Sequence, residues 1–134
     1  EWFSSTGGNP VSCAIGNAVL DVIEDEELQE QAREYGEYFL NGLRKLKDTY
    51  PVIGDVRGRG LFIGIEFVCD RDTLEPNAEE AGRVVRGMRD QGVLLSTDGP
   101  HHNVIKIKPP MVLTRQDIDM TLDLLNDVLS ANGD

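Results

Sequence analysis

Two short stretches of the chain combine residue types that can hold an anion. The first, Ser4-Ser5-Thr6-Gly7-Gly8-Asn9-Pro10, sets hydroxyls and a glycine pair directly before a strongly periodic amphipathic segment. A helix start presents unpaired N–H groups and a partial positive charge, glycines let a ligand approach the backbone, and hydroxyls add oriented donors for a phosphate. Ordinary helix-start grammar, with Asn9 as N-cap and Pro10 as first helical residue, accounts for the same residues. The second stretch gathers Asp98, His101, His102, Lys106 and Lys108 on and beside one loop shaped by Gly99-Pro100. Binding residues concentrate on such loops, although adjacent histidines there are also commonly just solvated. Lys106 shares a strand face with Val104 and Lys108, opposite Ile105 and Ile107. It reads either as the cation of a binding site or as an edge-strand lysine that discourages aggregation.

Other clusters have plainer readings. Glu24-Asp25-Glu26-Glu27 sits at a helix junction, where negative charge favours the next helix start. Arg57 and Arg59, in Arg57-Gly58-Arg59-Gly60, either hold an anion or stand solvated or ion-paired where a strand begins; neither is given a catalytic role. Cys13 and Cys69 match no metal-ligand spacing and no disulfide framework, which suits a reducing, cytoplasmic setting and predicts two small buried apolar residues.

The bulk properties narrow the field. With 134 residues, 40% of them hydrophobic, and no long apolar run, the chain reads as one soluble domain without a membrane span. A domain of this size buries roughly two-thirds of its unfolded surface. A net charge of −11, with 13 Lys and Arg spread along the length, argues against a nucleic-acid partner. The chain begins with neither a methionine nor a signal-type leader, so it is expected to be a piece of a longer protein whose partner domain is missing.

The elements that must position these residues follow from periodicity. Ala14, Ile15, Ala18, Val19, Val22 and Ile23 predict a helix from Asn9 or Pro10 to about Glu24 with a wide buried stripe. Asp25 is expected to cap a second helix along Leu28, Ala32, Tyr35, Phe39, Leu43 and Leu46, ended by Pro51 and Gly54. Val56 to Val68 changes to period two and predicts one strand with Leu61, Ile63, Ile65 and Phe67 on one face. Asn77 and Glu80 open a third helix, which Gly92 ends. Val93–Ser96 and Val104–Lys108 predict two strands around a loop, with Pro109-Pro110 closing the second. Thr114 and Asp117 open a last helix that turns Ile118, Leu122, Leu125, Val128 and Leu129 inward. The sum is an α+β domain: a small, mostly antiparallel sheet of about three strands with helices packed on one side.

Three stretches together resemble class III aminotransferases: Gly7-Gly8-Asn9-Pro10-Val11-Ser12-Cys13-Ala14, then Asp55-Val56-Arg57-Gly58-Arg59-Gly60-Leu61-Phe62-Ile63-Gly64, and the strand ending in Pro109-Pro110. The resemblance covers essentially the whole chain. Leu94 to His101 and Asn103 to Met111 are similar to the ethanolamine-phosphate and phosphohydroxylysine phospho-lyase branch. It implies a fold-type I, pyridoxal-phosphate-dependent homodimer, of which residues 1–25 would be the end of the large domain with a connecting helix and 26–134 the C-terminal small domain.

By the same resemblance, a hydroxyl just before the glycine pair contacts the cofactor phosphate of the neighbouring subunit. Ser5 aligns there, with Thr6 beside it. Most of the class carries an arginine before the paired prolines to grip a substrate α-carboxylate in a two-point fork; this chain has Lys106, a point charge better suited to a phosphate. The implied substrate is phosphoethanolamine or a related phosphorylated amine, with Lys106 and His101 as substrate-binding residues. Transamination with pyruvate or glyoxylate is the alternative, and a non-catalytic ligand-binding module the second. The lysine that carries the cofactor in this class lies in the large domain, so the isolated chain is expected to be inactive.

Overall fold

Side-chain alternation decides the sheet and three-to-four spacing decides the helices. The computed structural model describes residue 4 and residues 7–131, so Ser5 and Thr6 lie outside the described residues. The described elements are helices α1 (Pro10–Asp25), α2 (Leu28–Thr49), α3 (Ala78–Asp90) and α4 (Arg115–Ser130), and strands β1 (Ile53–Arg59), β2 (Phe62–Phe67), β3 (Ser96–Asp98) and β4 (Val104–Ile107). The sheet therefore has four strands, not three, in the order β1-β2-β4-β3, and each pairing is antiparallel.

The additional strand comes from a turn inside the period-two run. Gly60, at φ +54°, reverses the chain, so that Arg59 pairs with Phe62 and Val56 with Ile65. An L-residue at that φ carries a steric penalty that glycine escapes. β3 also lies later than predicted: Ser96-Thr97-Asp98 pairs with β4, while Val93 to Leu95 leads into it.

Helix ends follow local hydrogen bonding. The Asn77 side chain accepts from Glu80 N at 3.0 Å, and Thr114 and Asp117 form a reciprocal capping box. Gly92, at φ +87°, follows the end of α3. The junction between α1 and α2 departs from expectation. α1 runs through Asp25, and Glu27, left-handed at φ 49° with no side-chain cap bond, precedes α2.

One sheet face is buried under α2, α3 and α4, where Ile63, Ile65 and Ile105 meet Phe39, Leu43, Val84, Met88, Ile118 and Leu125. Each such side chain contributes about 1.5–3 kcal/mol relative to exposure. The stripe on α1 is apolar as predicted but not buried: no α1 residue is, and Ile15 remains 61% exposed. Cys13 and Cys69 are likewise exposed rather than buried. Cys13 belongs to the uncovered α1, and Cys69 follows the last core residue of its strand run, Val68.

Candidate functional site

The sheet face turned away from the helices carries three transverse rows set by strand register, because directly paired residues point to the same side. Asp55, Glu66, Val104 and Asp98 form the first row, and Arg57, Gly64, Lys106 and Ser96 the second. The third holds Arg59 and Phe62, with Lys108 brought alongside by the neighbouring Ile63–Ile107 pair. Acidic groups thus occupy one end of the face and cations the other. An open cavity of about 490 Å³ lies over it, lined by Arg57, Arg59, Phe62, Gly64, Asp98 and Lys106 among others.

Lys106 stands on β4, an inner strand between β2 and β3. That position removes the edge-strand reading. Its ammonium donates to the Asp98 carboxylate, and Gly99 N donates to the other oxygen of Asp98 at 2.8 Å. The Lys106 hydrogen bond first, and the Gly99 N–H second, hold the Asp98 carboxyl below the usual carboxylate range. On the other side of Gly64, Arg57 bonds Asp55 at 2.9 Å and also Glu66. Its hydrogen bond is the main cause of the lowered Asp55 pKa. Gly64 keeps the floor open between the two cations: a Cβ there would stand 3.3 Å from the Val104 side chain and 4.0 Å from Arg57.

His101 lies at the exposed tip of the β3–β4 hairpin and is not part of the cavity wall. His102, at φ 51°, donates its N–H to Gly99 O. The residue that seats this hairpin is Asn103, 3% exposed, whose side-chain amide donates to Phe67 O at 2.9 Å while its own carbonyl accepts from Phe67 N at 2.8 Å. Sequence reasoning placed Asn103 in the loop without a role; a polar residue directly before an alternating apolar run is the only signal for it.

Near the amino terminus, the helix start is partly self-satisfied. Asn9 Oδ1 accepts from Val11 N at 2.9 Å and Ser12 N at 3.3 Å, so those amides already have partners. Gly8, at φ +80°, has no atom of another described residue, its chain neighbours apart, within 4 Å of where a Cβ would be.

The family model for aminotransferase class III matches residues 4–129. The chain belongs to that family. It is 49% identical over 131 residues to a Drosophila melanogaster protein named alanine–glyoxylate aminotransferase 2-like, an alignment covering 97% of this chain and 26% of the fly protein. It is 42% identical over 130 residues to the Caenorhabditis elegans ethanolamine-phosphate phospho-lyase homolog 1, covering 96% of this chain and 28% of that protein. Among solved structures, an Arthrobacter phospholyase in complex with phosphoethanolamine superposes with a TM-score of 0.89 at 37% identity, over 97% of this chain and 31% of that one. The chain therefore spans under a third of these class III relatives. Among the described residues, no helix is long and apolar enough to cross a membrane.

Proposed function

We propose that the chain is the small-domain portion, residues 26–134 with the preceding connecting segment 1–25, of a cytoplasmic, homodimeric, pyridoxal-phosphate-dependent enzyme that eliminates phosphate from phosphoethanolamine or a related phosphorylated amine. The observation that carries this reading is Lys106: a single ammonium on an inner strand, facing an open cavity where most of the class is expected to present an arginine fork. A point charge holds a phosphate well and a planar carboxylate less specifically. The relatives named as phospho-lyases support the same choice.

The donor chemistry near the amino terminus fits the cofactor's phosphate. Ser5 and Thr6 supply hydroxyls, and Gly8 brings no side chain of its own. The cofactor, when bound, supplies the electron sink that lets the substrate carbon release a proton. This chain's part is to bind and orient: Ser5 or Thr6 on the cofactor phosphate, Lys106 on the substrate's acidic group, and His101 at the hairpin tip meeting the phosphate as it leaves. Overall, phosphoethanolamine and water give acetaldehyde, ammonia and inorganic phosphate. The lysine that carries the cofactor belongs to the larger part of the protein, so the isolated chain does not turn over.

The deciding experiment incubates the intact protein with phosphoethanolamine and no amino acceptor. Release of phosphate is the expected result. A strict requirement for pyruvate or glyoxylate overturns elimination in favour of transamination, the reading that the name of the fly relative favours.

A further inference from the structure

We infer that Arg59 is an anion grip of the open sheet cavity, supplying the net positive charge that Lys106 and Arg57 do not. This rests on the reading above that the cavity receives the substrate's acidic group. Three cations line the cavity, and two of them are already neutralised: Arg57 by Asp55 and Glu66, Lys106 by Asp98. Arg59 is exposed at the end of β1, and its guanidinium forms no ion pair or hydrogen bond with any described residue. In the third row it pairs across strands with Phe62, 60% exposed, whose ring carries the Lys108 ammonium 5.7 Å from its centroid. The uncompensated positive charge of the cavity therefore lies at the Arg59 end, away from the acidic row.

Geometry lets Arg59 and Lys106 act on one group. Strands about 4.8 Å apart put residues two strands away roughly 10 Å apart, and a same-face step along a strand adds roughly 7 Å. That places the two Cα atoms about 12 Å apart, a gap two long side chains close over a single phosphate. Arg59 supplies net charge and a planar fork; Lys106, steadied by Asp98, supplies the second contact. An anion docked there has its remaining substrate atoms over Gly64, which brings no side chain of its own and leaves Val104 as the nearest wall. The ligand class is a small phosphate or carboxylate monoanion or dianion.

The test uses the intact protein and inorganic phosphate, followed by isothermal titration calorimetry, in wild type, Arg59→Gln, Arg59→Lys and Arg115→Gln. Arg115 stacks on Tyr38 at 4.1 Å and serves as a charge-matched control outside the cavity. Loss of one charged hydrogen-bond partner predicts weakening on the order of 10- to 100-fold in Arg59→Gln, partial recovery in Arg59→Lys, and no change in Arg115→Gln. Equal phosphate affinity in wild type and Arg59→Gln, or no phosphate binding by wild type, overturns the inference. A parallel KM for phosphoethanolamine separates the two readings. If phosphate binding depends on Arg59 while phosphoethanolamine is never consumed, the phospho-lyase reading fails and the Arg59 grip stands. If phosphoethanolamine is consumed with a KM indifferent to Arg59, the reverse holds.

Discussion

Lys106 on β4 donates its ammonium to the carboxylate of Asp98 on β3, and this pair offsets one of the three cations that line the open sheet face. Asp98 is itself tied to Gly99 N, so the carboxylate is fixed before any ligand arrives. Replacing it tests the arrangement directly. Asp98→Asn keeps the shape but frees the lysine charge, and phosphate binding is expected to tighten by a few-fold, the scale set by a solvent-screened ion pair. In an Arg59→Gln background the same change restores part of the lost affinity. Calorimetry with inorganic phosphate reads both; weaker binding in Asp98→Asn would show that the carboxylate's main effect is to position the ammonium.

Lys106→Arg reverses the choice between a point charge and a fork. The intact variant is expected to shift the ratio of kcat/KM values for an α-amino acid and phosphoethanolamine toward the amino acid by roughly tenfold. Steady-state kinetics on the two substrates decides it. An unchanged ratio removes Lys106 from substrate discrimination.

The helices and the buried sheet face were legible because their signals are local: three-to-four spacing with caps at Asn77 and Thr114, and the alternation of Ile63, Ile65 and Phe67. The turn at Gly60 was hidden because Leu61 to Phe67 continues the same apolar period on the far side of it, and only the positive φ separates two strands from one. Lys106 was legible as a face position, but its inner-strand place depends on strand order, which no spacing in the chain encodes. The α1 stripe shows the complementary limit. Periodicity identifies an apolar face without saying whether the chain itself contains what covers it.

Acid stability follows from the carboxylates. Arg57 lowers Asp55, Lys106 lowers Asp98 and the Thr114 side chain lowers Asp117, so each binds its proton less readily folded than unfolded. Groups depressed in the folded state stabilise above their unfolded pKa, near pH 4, and that contribution is lost as pH falls through the folded value. The urea midpoint of the chain is expected to be flat from about pH 7 to 5 and to fall steadily below about pH 4. A midpoint that holds level or rises as the pH is taken below about 4 contradicts the sign.

Gly36 gives the sharpest packing prediction. It is buried in α2, and a Cβ there would stand 2.2 Å from the carbonyl oxygen of Gly60 in the β1–β2 turn. Alanine ordinarily improves a helix interior by about 0.5–1 kcal/mol over glycine. Here the obstacle is backbone held in a left-handed turn rather than the tip of a flexible side chain, so it cannot rotate away. Overpacking of this kind costs about 1–3 kcal/mol, which exceeds the propensity gain and displaces the hairpin bearing Arg57, Arg59 and Phe62. Gly36→Ala is therefore expected to lower the urea midpoint and to weaken phosphate binding together. Gly16→Ala on α1, where a Cβ meets none of the described residues outside its own helix within 4 Å, is the matched control and is expected to leave the midpoint level or slightly raised. A Gly36→Ala variant as stable as its Gly16 counterpart would mean that α2 and the turn do not approach as closely as the structure shows.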